Sequence, residues 1–213
     1  MKRLYLIILL FGCIGFYNGL EAHNAVGFRV GWRGTTQHFT HNYYDRYEQS
    51  IMHYGFFGIG EEIGLNEDKN GLSNIAIRPE FIVTGTGMDM QLEDFDYKLS
   101  DFFCWWVSVP FVYTPHYFGV AKNKHYGKEE TSGWAPYLLV SPNLELVIGG
   151  DFAYIDFSIS PGLGVKFFID NVVLGIEAQY SFGLLDNRPD NSRVLGERFH
   201  RGLEITLMIG GIW

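Results

Sequence analysis

From Ala153 to Ile169 the chain alternates with strict period two until its last pair. Ala153, Ile155, Phe157, Ile159, Pro161, Leu163, Val165, Phe167 and Ile169 take every second place, and Tyr154, Asp156, Ser158, Ser160, Gly162, Gly164, Lys166 and Phe168 lie between them. Strand side chains point to opposite faces in turn, so one face of this long strand is continuously apolar and the other is polar or glycine. Such a strand separates two solvents. Asp170-Asn171 is a turn pair, after which Val172, Leu174, Ile176, Ala178, Tyr180 and Phe182 oppose Glu177, Gln179 and Ser181, which predicts a hairpin.

What surrounds the hairpin is bounded by composition. With 17% aromatic residues, 26 glycines and only 19% charged residues, the 213-residue chain fits a single all-β domain better than a helical one. The net charge of −8 is spread without a basic patch, which argues against a nucleic-acid partner. Lys2 and Arg3, the apolar run from Leu4 through Phe16, and Gly19-Leu20-Glu21-Ala22 read as an export signal over residues 1–22, leaving a barrel domain over 23–213. Leu10-Phe11-Gly12-Cys13 approaches a lipoprotein box, but Phe11 is too bulky for it, so ordinary cleavage is expected. Cys104 is then the sole cysteine, and no intramolecular disulfide staples the fold. No apolar run after the signal is long enough for a transmembrane helix, but a membrane barrel needs only alternating segments of about ten residues.

Alternation predicts eight strands. The first carries Val26, Phe28, Val30 and Trp32, with Arg29 and Arg33 on its polar face, and the second spans Ile51 to Ile63. The third sets Ile75, Ile77, Pro79, Phe81 and Val83 against Arg78 and Glu80, and the fourth runs from Phe102 to Tyr113. Trp134 to Leu144 is the fifth, the hairpin provides the sixth and seventh, and Leu203 to Ile209 forms the eighth, with Glu204 on its polar face. Pro79 and Pro110 cannot donate to a ladder and require a bulge or an unpaired position. Loops are expected at His38 to Ser50, Asn66 to Gly71, Met88 to Leu99, His116 to Ser132, Asn143 to Phe152 and Leu184 to His200.

Eight strands joined in sequence suit an antiparallel up-and-down β-barrel. If the apolar face points inward, the chain is a soluble lipocalin-like ligand binder; if outward, it is a transmembrane barrel. Three features favour outward. Arg29, Arg33, Arg78 and Lys166 on the polar faces balance Glu80, Asp156, Glu177 and Glu204, an ion-pair network able to fill a narrow lumen. Trp32, Trp105, Tyr113, Trp134, Tyr180 and Phe182 crowd strand ends, where membrane-interface aromatics form girdles. Trp213 shares the parity of Leu203 and Ile209, placing an aromatic on the lipid face of the closing strand as an assembly signal for the barrel-insertion machinery.

In the second half of the chain, Val107-Ser108-Val109-Pro110-Phe111-Val112-Tyr113, Ala135-Pro136-Tyr137-Leu138 and Gly162-Leu163-Gly164-Val165 together resemble motifs of the PorT-like outer-membrane β-barrel proteins of Bacteroidetes-type bacteria. The first looks like their aromatic strand with a central proline, and the second like their proline-tyrosine strand. Phe152 to Val165, Gly175 to Leu184, and Arg201-Gly202-Leu203-Glu204 onward are similar to their later strands. Ser108 stands where the family often has an acid, and Gln179 where it often has arginine. The resemblance implies an outer-membrane barrel, and its best-characterised branch implies a role in type IX protein secretion.

Other candidate sites read as ordinary surface. His38 and His41 have HxxH spacing, with His53 further on, but without cysteines or paired acids this is weak for a metal site. His200 with Ser192 and Asp190 would suit a lipid A or phospholipid-modifying barrel enzyme, but no nucleophile motif frames Ser192. The expectation is therefore a non-enzymatic barrel without cofactor or metal, in contact with outer-membrane lipid. Its envelope or periplasmic partner would be met through 116–132 or the aromatic outer loop 38–50. Deleting Ile212 and Trp213 should lower the amount of heat-modifiable barrel in the membrane, measured by gel mobility before and after boiling.

Overall fold

The computed structural model describes residues 25–39, 48–66, 72–92, 95–125, 128–149, 152–185 and 198–212. The strands among them are β1 (Ala25–Phe39), β2 (Glu48–Ser50), β3 (Met52–Gly64), β4 (Ile75–Ile77), β5 (Glu80–Leu92) and β6 (Phe95–Ser108). They continue with β7 (Phe111–Tyr113), β8 (Phe118–His125), β9 (Lys128–Gly149), β10 (Phe152–Ile169), β11 (Val172–Gly183) and β12 (Arg198–Ile212). Several are pieces of one stave. β2 continues into β3 along β5, β4 into β5 along β3, and β6, β7 and β8 lie end to end along β9. Each stave is antiparallel to its neighbours in sequence, and β12 closes on β1, with Ala25 opposite Ile212 and Phe39 opposite Arg198. The result is an eight-stranded up-and-down barrel, closed by β12 on β1.

Proline explains two of the breaks. β4 gives way to β5 at Arg78-Pro79, and β6 to β7 at Val109-Pro110. The prolines lack N–H groups but keep their carbonyls: Pro79 accepts from the Glu61 amide at 3.1 Å, and Pro110 accepts from the Arg78 amide at 2.9 Å. The wall thus stays hydrogen-bonded across its own interruptions. At the β10–β11 hairpin, Asp170 has φ 54°, the left-handed conformation that a two-residue turn between twisted strands requires.

The alternation sorts the two faces. Ile176 is 53% exposed and Glu177, the next residue, 1%. Outward positions carry Phe28, Val30, Phe57, Ile59, Leu144, Leu146, Ile155, Leu163, Leu174, Leu207 and Ile209, all exposed, while Arg29, Arg33, Glu80, Asp156, Lys166 and Glu204 are buried. The outward apolar run of β11, from Val172 to Phe182, spans roughly 33 Å along the strand and about 25 Å along the axis at a usual barrel tilt, the height of a hydrocarbon band. This is the transmembrane arrangement, with apolar residues outside and charges inside.

Several boundaries differ from the sequence-based expectation. The fifth stave is not confined to Trp134–Leu144 but runs over Lys128–Gly149, and β5, β6 and β10 reach into the expected loops Met88–Leu99 and Asn143–Phe152. The largest correction concerns His116 to Ser132. Instead of an unstructured connection it is mostly strand: Phe118 pairs with Trp134 and His125 with Lys128, so β8 and the start of β9 form a hairpin arm at the end of the barrel where Ala25 and Ile212 lie. Backbone pairing needs no apolar face, so a strand can continue into a polar sequence once its neighbour continues alongside. The expected signal, residues 40–47, 67–71 and 186–197, and Trp213 lie outside the described residues.

A charge on the outer face tests this arrangement. Ile176→Lys should reduce insertion and destabilise the inserted barrel by about 2–4 kcal/mol near mid-membrane, read by urea unfolding in lipid vesicles.

Candidate functional site

The polar face of every stave meets the others inside an eight-stranded ring, too narrow to leave its side chains in bulk water. At mid-height, Arg29 on β1 bridges Glu80 on β5 and Glu177 on β11. Arg78, at the proline break between β4 and β5, bridges the same two carboxylates, its Nη2 lying 2.5 Å from Glu177 Oε2. The four side chains make a closed square of alternating charge that spans the lumen. Glu177 also accepts from the Tyr137 hydroxyl at 2.8 Å and from the Gln179 amide at 2.6 Å, and Ser141 donates to Gln179 at 2.8 Å. Tyr137 reaches this position because β10 has no side chain at Gly164, where a Cβ would stand 2.5 Å from the phenol oxygen.

A second layer lies farther from the Ala25–Ile212 end. Arg33 Nη2 is 3.0 Å from Glu145 Oε2, its Nε is 3.5 Å from Glu204, and its guanidinium sits 4.3 Å above the Trp106 ring. His200 approaches the same guanidinium at 3.1 Å and Glu145 at 3.9 Å. Ser158 donates to Glu145 at 3.1 Å, and Asn143 donates to Ser158 and Ser160. Toward the Ala25–Ile212 end, Lys166 pairs with Glu62 and lies 4.8 Å from the Tyr137 ring centre. Below that pair, Leu72, Tyr117, Phe168 and Val173 close over a cavity of about 60 Å³, room for a few waters. Tyr117 fastens this closure by donating to the Ser73 carbonyl at 2.5 Å.

The eight lumen residues named from sequence are therefore not one cluster. Arg29, Arg78, Glu80 and Glu177 meet in the square, Arg33 and Glu204 meet in the second layer, Lys166 bonds elsewhere, and Asp156 is buried on β10 opposite Glu145. Sequence reasoning missed Glu145, Glu62, Tyr137 and His200 as network members. Glu145 carried the available signal, since it alternates with Leu144 and Leu146. Of the aromatics named as interfacial, Trp105, Tyr113, Trp134, Tyr180 and Phe182 are exposed on the outer face and Trp32 is half-buried there, stacked on His53 at 5.4 Å. Tyr113 and Trp134 lie toward the Ala25–Ile212 end, Tyr180 and Phe182 toward the other, and Trp32 midway along β1.

His200 is 3% exposed and turned into the lumen, away from the outer face where a lipid substrate would lie. Ser192 and Asp190 lie outside the described residues, as do His41 and the side chain of His38. Among the described residues no three His, Cys, Asp or Glu side chains converge as a metal site.

No protein-family model matches the chain, and no curated protein matches its sequence. Among solved structures, the outer membrane protein OprG from Pseudomonas aeruginosa superposes with a TM-score of 0.51 at 8% identity, over 91% of this chain and 99% of that one. Neisserial surface protein A gives 0.49 at 12% identity over 88% and 96%, and Ail of Yersinia pestis gives 0.43 at 14% over 91% and 100%. The likeness to OprG is one of fold: the chain is built as an outer-membrane β-barrel.

Breaking the square isolates buried charge. Glu177→Leu leaves Arg29 and Arg78 sharing only Glu80, with Glu62 3.9 Å from Arg78, and should destabilise the barrel by about 3 kcal/mol. The same urea titration in vesicles reads the loss, with outward Ile176→Leu as a neutral control.

Proposed function

We propose that the protein is a non-enzymatic integral outer-membrane barrel that, after cleavage of an N-terminal signal, serves as a partner-binding component of envelope assembly or type IX-like secretion. The membrane part of this reading rests on one observation: described outward positions between the barrel ends are apolar, while the buried side chains include paired cations and carboxylates. Glu61 and Arg201, outward by parity, stand near opposite ends of that band. An aqueous surface would not keep so many exposed Leu, Ile and Phe side chains in one continuous belt.

The partner-binding part is supported by the β8–β9 arm. Lys128–Thr131 run past the turn at Asp170-Asn171, so the arm projects about 13 Å beyond the neighbouring hairpin at strand spacing. With both termini periplasmic, the arm lies on the side where outer-membrane barrels keep their turns short, and it is long for a mere connection. Lys122, Lys124, Lys128, Glu129 and Glu130 give it both signs of charge. The PorT-like motifs of the later strands support placing it in a secretion or assembly complex. The lumen, filled by its own ion pairs and closed by Leu72 and Tyr117, favours binding over conduction.

Side-specific labelling tests this reading. A cysteine at Asn123 in a Cys104→Ser background should resist a membrane-impermeant maleimide in whole cells and react after lysis. Reaction in intact cells would place the arm outside and remove the periplasmic partner.

A further inference from the structure

The wall has a gap. Between β3 and β5 the ladder runs from Gly60 opposite Glu80 to Phe56 opposite Thr84 and then stops. Pairing resumes only where Ser50 on β2 lies opposite Asp89, so among the described residues Met52–Gly55 and Gly85–Met88 face each other without a ladder pair. The register of β5 on β6 shifts within the same stretch, between Thr86 and Met88. At the lip, the Gly55 carbonyl accepts a side-chain bond from Thr84 Oγ1 at 3.1 Å.

Tyr54 lies in this opening. It pairs in register with Arg33, an inward position, yet its ring lies where a side chain on outward Gly85 would be: a Cβ there would be 2.4 Å from Tyr54 Cδ1. Outside the seam, a shallow open groove is lined by Val30, Gly55, Phe57, Val83, Gly85 and Phe103. Inside, Phe56, Ile82, Cys104, Trp106 and Val147 form an apolar cluster, in contrast to the charged square below. The seam thus joins an apolar groove to an apolar layer, and the lining of the groove carries no charge.

We infer that the β3–β5 seam is a lateral portal, with Tyr54 as its stopper, through which a slender neutral apolar molecule passes between the bilayer and the Phe56–Trp106 layer of the lumen. The inference rests on the membrane reading above. The occupant is a single acyl chain or aromatic ring, because the groove offers apolar contact and nothing for a charged group to pair with. Arg33 over Trp106, and Glu145 3.7 Å from Cys104 Sγ, mark where the apolar layer ends.

Photolabelling in phosphatidylcholine vesicles with a small apolar aryl diazirine, mapped by mass spectrometry, tests the portal. Outward Phe57 and Ile59 should be labelled in any case, and their failure to label would remove the membrane reading and the portal with it. The portal predicts further adducts on inward Cys104 and Trp106 but not on inward Val112 and Tyr137. Label at Cys104 and Trp106 should rise several-fold in Tyr54→Ala. It should vanish when a disulfide between Gly55→Cys and Gly85→Cys is closed in that background. If Phe57 and Ile59 are labelled while Cys104 and Trp106 stay clean in wild type and in Tyr54→Ala, the portal does not exist. Equal labelling of Trp106 and Tyr137 overturns it as well, because that is general permeation.

Discussion

The square of Arg29, Glu80, Arg78 and Glu177 is the interaction on which the rest of the structure depends. A strand with one apolar face must send the other face somewhere, and when the apolar faces look outward the polar ones converge on a space only a few side chains wide. Charges brought there lose bulk water and are tolerable only if each meets its opposite. The square meets that condition with two guanidiniums and two carboxylates from three parts of the wall, β1, the β4–β5 break and β11. It thereby ties together staves that share no ladder, since β11 and β5 lie on opposite sides of β12, β1 and β3 in the ring.

Around that tie, the interior is graded. Toward the Ala25–Ile212 end, Lys166 and Glu62 sit above an apolar closure of Leu72, Tyr117, Phe168 and Val173. Away from it, Arg33 joins Glu145, Glu204 and His200, and beside them lies the apolar layer of Phe56 and Trp106. A lumen so filled does not resemble a water channel, which leaves the wall and its ends as the accessible features of the barrel. The β8–β9 arm extends one end and the β3–β5 seam interrupts the wall. Both arise where the simplest barrel rule, continuous pairing between turns of minimal length, is broken.

These breaks also show how a barrel absorbs residues that a sheet should exclude. Pro79 and Pro110 fall at neighbouring interruptions where carbonyl acceptance keeps the wall joined, and Arg78 and Glu80, which flank Pro79, meet on the inner face. At Gly164 the absence of a side chain makes room for Tyr137 to reach Glu177. Local departures from ideal strands therefore serve the charge network.

Much of this was legible in the residues, because strand parity is a local property. The alternation of Ala153 to Ile169 and of Val172 to Phe182 determines which side chains share a face, so an up-and-down barrel and eight of its lumen charges follow from position along the chain alone. Parity says nothing about height or neighbours. Which cation meets which carboxylate depends on the stagger between staves, and that brought Arg78 to Glu177 across the lumen and left Lys166 to Glu62. Glu145 and His200 joined Arg33 for the same reason. Composition could not tell a charged loop from a charged hairpin, so the β8–β9 arm appeared only in the folded chain, where backbone pairing holds it without an apolar face. The sequence by itself determined the two faces, since each residue's side is set by its own strand. Tertiary structure alone decided the partners, the arm and the seam, since these are set by the register of one strand on the next.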